Sequence, residues 1–204
     1  MGGLFLRKED NKLNIYFVFW GPSGAGKTTS LEYLYKNVPF SKKGELLKIE
    51  DANGSTMMFD FIPFVVLPEE EGNINVLFHC YTVPGQDVYE DRRDLLLNEL
   101  NDVDGIIFVV DSQKKYLSDN IRSFKELKEK LAKYLNKTLG KDVPFIVFLN
   151  KRDLPNVLPK DVLAKNFNDA VDYVETVAIR GDGILEGFKK ISEFVLKKIL
   201  SELE

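Results

Sequence analysis

Cysteine and histidine, which build disulfides and most transition-metal sites, are nearly absent from this sequence. The 204 residues include one cysteine, Cys80, and one histidine, His79. A single cysteine excludes an intrachain disulfide, which fits a reducing compartment. Cys80 has no nearby partner for metal binding or catalysis, so we expect it to be a core residue. We expect His79 to pack in the core or on a sheet face.

The chain also lacks long apolar runs and an excess of basic residues. No run approaches the roughly 18 apolar residues that a membrane-spanning helix needs. A myristoylation pattern begins at Gly2, but Leu6 and Arg7 stand where it requires Ser or Thr, and the C-terminal SELE has no cysteine to lipidate. With 28 Lys and Arg against 32 Asp and Glu, the net charge of −4 argues against broad nucleic-acid binding. We therefore expect a cytoplasmic protein with no stable membrane anchor.

What is present is an alternation of strand-like and helix-like segments. Apolar content of 44% and charged content of 29% are typical of a globular protein, and the length suits one domain, 1–204. Apolar runs predict buried strands, and helical spacing predicts helices. The predicted strands are 13–20, 104–111, 143–150 and 173–179, with a hairpin of 56–67 and 74–83, and the predicted helices are 27–38, 118–136 and 184–202. This order predicts an α/β fold with a largely parallel sheet covered on both faces.

A glycine-rich stretch lies between the first predicted strand and the first predicted helix. Its sequence GPSGAGKT matches G-x-x-x-x-G-K-[ST] in the context that this motif requires. Glycines let successive backbone N–H groups converge on an anion, and the helix N-terminus adds its dipole. Lys27 can reach the β- and γ-phosphates, and the Thr28 hydroxyl suits Mg²⁺. The predicted phosphate-binding residues are Gly21, Ser23, Gly24, Ala25, Gly26, Lys27, Thr28 and Thr29.

A second motif follows the strand predicted at 143–150. Asn150, Lys151 and Asp153 form the N-K-x-D pattern of guanine-binding proteins. Asp153 can accept hydrogen bonds from the N1–H and exocyclic amine of guanine, whereas adenine offers neither donor there. We expect the Lys151 stem to lie along the base and Asn150 to tie this loop to the phosphate loop. A charged turn is the alternative, but the position directly after a buried strand favours guanine recognition.

A third stretch, Thr82-Val-Pro-Gly85-Gln86, resembles the D-x-x-G-Q of small GTPases with threonine in place of aspartate. We expect the Gly85 N–H to face the γ-phosphate and Gln86 to orient the attacking water. Thr82 removes a negative charge from behind the metal. The alternative is a strand that ends in a Pro-Gly turn, with Gln86 merely exposed.

Together these segments resemble the MglA group of Ras-like small GTPases, over about residues 12–200. The resemblance is carried by FWGPSGAGKTTSLEYLY, KGELLKIED, TMMFDFIPF, FHCYTVPGQDVY, VDGIIFVVDS and NKRDLPNVLP. It implies a P-loop NTPase fold of the Ras-like G-domain type, with a six-stranded, mostly parallel sheet, one antiparallel strand and about five helices. It also implies a GTP/GDP switch with Mg²⁺, a roadblock-type activating partner and a role in cell polarity or motility.

The resemblance places the switch threonine at Thr56. It implies that Thr28 and Thr56 are the Mg²⁺ ligands and that Lys27, Thr56 and Gln86 are the catalytic residues. The position before it, typically an arginine that acts as a finger, is Ser55. Slower hydrolysis is then expected, or an arginine from elsewhere, with Arg92 and Arg93 as candidates or as a solvated helix face.

Two further departures concern the nucleotide loops. Ser23 stands where the group has glycine. Val177, Ala178 and Ile179 stand where many relatives have S-A-K, so the lysine is missing, while the Ala178 N–H can still serve the base. We include Ala178 and Ile179 among the expected nucleotide-binding residues.

Two functions remain open from the sequence. Gln86 favours a GTPase switch that hydrolyses GTP slowly and recruits effectors when loaded. Ser55 and Thr82 favour a GTP-binding docking module with little hydrolysis. The effector and the oligomeric state cannot be read from these residues.

Overall fold

The computed structural model describes residues 8–9, 12–37, 47–50, 56–61, 64–69, 72–85, 90–100 and 102–202. The strands are β1 (Lys8–Glu9), β2 (Lys12–Trp20), β3 (Leu47–Glu50), β4 (Thr56–Phe61), β5 (Phe64–Glu69), β6 (Gly72–Thr82), β7 (Gly105–Asp111), β8 (Phe145–Asn150) and β9 (Tyr173–Glu175). The helices are α1 (Lys27–Asn37), α2 (Glu90–Leu100), α3 (Leu117–Leu135), α4 (Lys160–Ala164) and α5 (Ile184–Ser201).

Five strands form the parallel centre of one sheet. Strand β6 lies beside β2, and β7, β8 and β9 follow on the other side, all parallel. Every residue of β7 and β8 is buried, as their continuous apolar sequences predict for strands covered on both faces. Because the strands are parallel, their carboxyl ends meet at one edge of the sheet, where ligands bind in open α/β folds.

The remaining strand segments are antiparallel. Strands β4 and β5 both pair with β6 in one register, with Phe59 opposite Thr82 and Phe64 opposite Leu77. Strand β3 pairs with β4 at the sheet edge, and β1 pairs with the start of β2. The α/β class, the five parallel strands and the five helices agree with expectation. The described chain, however, has nine strand segments where six strands were expected.

Alternation along β2 separates two hydrophobic cores. Ile15, Phe17 and Phe19 pack with residues of α1 and α5 on one face. Val18 and Trp20 pack with residues of α2 and α3 on the other. Trp20, the only tryptophan, is fully buried. Helices therefore cover both faces of the sheet. The glycine-rich loop follows directly from β2, whose position is fixed by packing on both sides.

The boundaries differ from the sequence prediction in several places. Strand β9 has three residues where seven were predicted, because the chain leaves the sheet and turns, with the N–H of Gly181 donating to the Val177 carbonyl at 2.8 Å. Helices α2 and α4 and strands β1 and β3 were not predicted. Cys80 is buried as expected, and His79 lies half-buried on a sheet face, stacked on Tyr16. Of the helices in the described ranges, none combines the length and the apolar character that crossing a bilayer requires.

Candidate functional site

The loop between β2 and α1 requires glycine at two positions. Gly21 and Gly26 have φ angles of +141° and +104°, which L-residues rarely adopt. A Cβ at Gly21 would lie 2.1 Å from the Val109 carbonyl oxygen, and one at Gly26 would lie 2.2 Å from Nδ2 of Asn150. The loop is therefore pressed against both β7 and the end of β8, so its backbone curls as the phosphate-loop pattern predicts.

Lys27 opens α1 and turns back into this loop. Its ammonium donates to the carbonyl oxygens of Gly21 and Pro22, each at 2.8 Å, and the side chain is 6% exposed. Burial, helped by the positive charge of Arg93, lowers the pKa of Lys27 to about 7. Its hydrogen-bond acceptors are neutral carbonyls, and the negative charge of Glu126 offsets the burial of the lysine only in part.

The stretch after β6 lies directly on the same loop. The Val83 N–H donates to the Phe19 carbonyl at 3.4 Å, which keeps the chain beside β2. A Cβ at Gly85 would lie 2.4 Å from the Ser23 backbone nitrogen and 2.7 Å from Nζ of Lys27. The Thr82 hydroxyl is buried and has no hydrogen-bond partner among the described residues. The predicted third motif is thus in contact with the first.

Asn150 joins the loop after β8 to the phosphate loop. Its Nδ2 donates to the Ala25 carbonyl at 2.7 Å, and its Oδ1 accepts from the Ala178 N–H at 2.9 Å and the Thr176 hydroxyl at 3.2 Å. The predicted tie between the two loops is present. It also uses the Ala178 N–H that was expected to serve the base, so that donor has another partner in this structure.

Lys151 is held by a carboxylate from the neighbouring strand. Its ammonium lies 2.7 Å from Oδ2 of Asp111, which is 3% exposed and ends β7. Oδ1 of Asp111 accepts from the Gln113 N–H at 3.0 Å. Lys151 has a φ of +65°, an unusual conformation for a residue with a side chain. The ion pair and the strained backbone together fix the direction of its aliphatic stem.

A cavity of about 260 Å³ lies between these loops. Asp153 reaches it from an exposed loop, and Leu154 and Ile179, both exposed apolar residues, form part of its wall. Apolar walls with one carboxylate suit a flat heterocycle that carries N–H donors. The residues around it are Gly24, Gly26, Thr29, Asn150, Lys151, Asp153, Leu154, Val177, Ala178 and Ile179.

The remaining switch and catalytic positions lie partly outside the described residues. Gln86 and Ser55 lie outside the described residues. Thr56 begins β4, where it lies opposite Glu50 of β3. Thr28, in the first turn of α1, is half-buried.

Comparison with known proteins agrees with this geometry. A family model described as the ADP-ribosylation factor family matches residues 53–195. The chain is 34% identical over 199 residues to the mutual gliding-motility protein MglA of Myxococcus xanthus (strain DK1622), covering 96% of this chain and 97% of that protein. This chain belongs to the MglA-like, Ras-family small GTPases. It is also 29% identical over 200 residues to the ADP-ribosylation factor-like protein 4A of Homo sapiens, covering 91% of this chain and 85% of that protein.

The donors of this GTPase fit the magnesium ion that the family implies. In the described part of the chain, no three His, Cys, Asp or Glu side chains gather as a metal centre. Hydroxyl oxygens and water are ligands that suit Mg²⁺, which keeps most of its waters. The buried Thr82 hydroxyl, unpartnered within the described residues, supplies a group that such a water can meet.

The sequence analysis missed Asp111 and Thr176 of the GTPase site, and it considered Arg93 only as a finger arginine or a solvated residue. Asp111 is the last residue of a buried strand, where an aspartate often begins a turn. Its role in the site depends on its ion pair with Lys151, 40 residues later. Thr176 lies between β9 and the last guanine loop, and it helps hold Asn150. Arg93 is buried in α2 rather than on a solvated face. A polar residue at the end of an apolar strand was the available signal for Asp111.

We predict that Asp111→Asn raises the dissociation rate of guanine nucleotides by about tenfold. The neutral amide removes the ion pair that holds Lys151, and hydrogen bonds between charged groups contribute roughly 1.5–3 kcal/mol. Displacement of a fluorescent GDP by excess GDP measures this rate. Asp119→Asn, a partly exposed carboxylate in the first turn of α3, is the matched control. An unchanged rate in Asp111→Asn means that Lys151 needs no anchor.

Proposed function

We propose that the protein is a single-domain GTPase switch, spanning residues 1–204, that binds GDP and GTP with Mg²⁺ and hydrolyses GTP slowly. The observation that supports this most directly is the double hydrogen bonding of Asn150. One side chain joins the phosphate loop at Ala25 to the guanine-side loop at Ala178. A ligand spanning the two loops, as a guanine nucleotide does, is thereby held at both ends.

Each loop has a task in binding. The curled backbone of Gly21–Gly26 and the Lys27 ammonium receive the phosphates, and Gly85 offers its N–H to the γ-phosphate. Asp153 pairs with the guanine edge, the Lys151 stem covers one face of the base, and Ile179 adds apolar surface where many relatives have lysine. Asn150 holds the phosphate loop and the guanine-side loops in a fixed relative position through its hydrogen bonds to Ala25 and Ala178.

For hydrolysis, Gln86 orients the attacking water toward the γ-phosphate. Thr28 and Thr56 would hold the magnesium ion, with the Thr82 hydroxyl behind it. The ion would neutralise charge on the phosphate oxygens when bound. Lys27 adds a second cation at the same oxygens, and Thr56 couples its strand to the presence of the γ-phosphate.

The expected slowness follows from the residues. Ser55 carries no charge where the group has an arginine finger, which contributes roughly 10³–10⁵-fold in such enzymes. We therefore propose that a partner protein, of the roadblock type or another activating protein, completes or stimulates the site. The gliding-motility relative supports a role in motility, and we propose that the protein acts in the cytoplasm, in cell motility or polarity.

A docking module that binds GTP and barely hydrolyses it is the second candidate. Ser55 and Thr82 favour it, because each removes a charged group from the reaction centre. Such a protein would need only the phosphate and guanine loops. Gln86 would then have no chemical task.

A single-turnover measurement of phosphate release separates the two candidates. We predict that protein loaded with GTP releases phosphate slowly and that Gln86→Ala lowers the rate at least tenfold, because the water loses its orienting group. Asn98→Ala, an exposed amide on α2, is the control and should match the wild type. Equal rates for the wild type and Gln86→Ala would favour the docking module.

A further inference from the structure

The turn at Pro84 and Gly85 is held from two sides. On one side Gly85 lies against the phosphate loop, so closely that an added Cβ would sit 2.4 Å from the Ser23 nitrogen and 2.7 Å from Nζ of Lys27. On the other side the Pro84 carbonyl is bound by Arg93 of α2. The turn therefore has a support behind it as well as a contact in front.

Arg93 is built into this support. It is 3% exposed, its Nη1 donates to the Pro84 carbonyl at 2.8 Å, and its Nε donates to Oε1 of Glu126 at 2.7 Å. Glu126 lies on α3 and is also 3.8 Å from the ammonium of Lys130. Lys130 in turn bonds Glu90 of α2 at 3.0 Å. The guanidinium thus reaches the turn from a fixed frame of two helices.

The bond to the Pro84 carbonyl also orients the next amide. The carbonyl of Pro84 and the N–H of Gly85 belong to one planar peptide unit, and in its trans form they point in opposite directions. No cis peptide occurs among the described residues. An arginine that fixes the carbonyl therefore fixes the Gly85 N–H, the group expected to meet a γ-phosphate.

The position of the Pro84–Gly85 turn determines how much space is left for the γ-phosphate of a triphosphate. A γ-phosphate must lie near the Lys27 ammonium and within hydrogen-bond distance of the Gly85 N–H. The structure leaves no room for even a methyl group between Gly85 and the loop. A third phosphate between Gly85 and Lys27 would therefore require the turn to withdraw, whereas a diphosphate carries no group for that place.

We propose that Arg93, anchored by Glu126, is a positioning residue that holds the Pro84–Gly85 turn against the phosphate loop and so sets the preference of the site for GDP over GTP. This inference rests on the proposed nucleotide-binding function. Withdrawal of the turn breaks or lengthens a charge-assisted hydrogen bond, which favours the diphosphate state by about tenfold or more. A ligand can shift the turn only to the extent that it binds the two positions differently.

The test compares equilibrium dissociation constants for fluorescent GDP and a fluorescent, non-hydrolysable GTP analogue. In Arg93→Gln the ratio of the triphosphate to the diphosphate constant should fall about tenfold relative to the wild type. Glu126→Gln should lower the ratio by a smaller factor, because the guanidinium remains but loses its anchor. A purely structural role would weaken both nucleotides alike and leave the ratio unchanged.

Matched controls lie on the exposed face of α3. Arg122→Gln and Glu129→Gln remove the same side-chain types from positions that are 64% and 66% exposed, and neither should move the ratio. Thermal melts followed by circular dichroism show which variants fold. If Arg93→Gln does not fold, Glu126→Gln decides the question.

Two results would overturn the proposal. An unchanged ratio in the folded variants means that Arg93 only supports the fold. A higher ratio means that Arg93 assists the γ-phosphate instead of excluding it. A wild-type protein that binds neither nucleotide contradicts the proposed function itself, and is recognised before any variant is compared.

Discussion

The Asp153→Asn variant is expected to prefer xanthosine triphosphate to guanosine triphosphate. The carboxylate is expected to accept two hydrogen bonds from guanine, and two charge-assisted bonds amount to roughly 10²–10⁴ in affinity. An asparagine keeps one acceptor and presents an amide donor, which suits xanthine, whose ring has a carbonyl where guanine has the amine. Asp153 and the exposed Ile179 both line the cavity to which we assign the base.

Competition against fluorescent GDP by GTP, xanthosine triphosphate and ATP measures the exchange. Asp161→Asn, an exposed carboxylate in the first turn of α4, is the control and should keep the guanine preference. If Asp153→Asn binds GTP as well as the wild type does, Asp153 does not read the base, and the assignment of the cavity to guanine loses its main support.

Lys27→Ala is expected to weaken binding of GDP and GTP by about 10²-fold or more. The ammonium is buried under the phosphate loop, where charge-assisted bonds to phosphate are strong and unpaired phosphate charge is costly. Lys36→Ala, an exposed lysine at the end of α1, provides the comparison. Titration with fluorescent nucleotides measures both. Equal affinity in Lys27→Ala and the wild type would remove Lys27 from the site.

The lowered pKa of Lys27 adds a readout that the Lys27→Ala variant should lose. Because burial brings its pKa to about 7, Lys27 is largely neutral at pH 8 in the nucleotide-free protein. Phosphates favour the charged form, so nucleotide binding at pH 8 should take up about one proton, and affinity should fall as pH rises above 7. Calorimetry in buffers of different ionisation enthalpy measures the uptake, which Lys27→Ala should lack.

The same pKa shift gives the stability of the fold a pH dependence opposite to that of nucleotide affinity. The folded pKa of about 7 lies below the ordinary value of 10.5, so the folded nucleotide-free protein binds fewer protons than the unfolded chain between these values. The contribution of Lys27 to stability therefore falls as pH drops from 10.5 towards 7. Bound phosphate removes this cost by pairing the charge.

The central sheet and the two nucleotide loops could be predicted because each leaves a local signal. Strands β7 and β8 are continuous apolar runs, and such runs of six or seven residues, buried on both faces, are strands in a parallel sheet. Positive φ angles and the close approach of β7 and Asn150 require glycine at positions 21 and 26, so the motif reflects the backbone conformation of the loop. The tie from Asn150 followed from its place after a buried strand.

The missed elements had weak local signals. Helix α2 buries Leu96 and Leu97 but also Arg93, and it exposes Leu95, so its sequence EDRRDLLLNEL shows little amphipathic spacing. Its position depends on packing against α3. Asp111 acquires its role only when β7 and β8 lie side by side, which no window of sequence contains.

The burial of Trp20 gives this protein an optical reporter of its own. The indole is the only one in the chain, it is shielded from water, and it directly precedes Gly21 at the start of the phosphate loop. Because the emission of an indole moves to longer wavelength when water reaches it, the fluorescence of the unmodified chain reports one place alone. With excitation selective for the indole, loosening of this loop is therefore expected to shift the emission in real time without a label on the protein or the ligand.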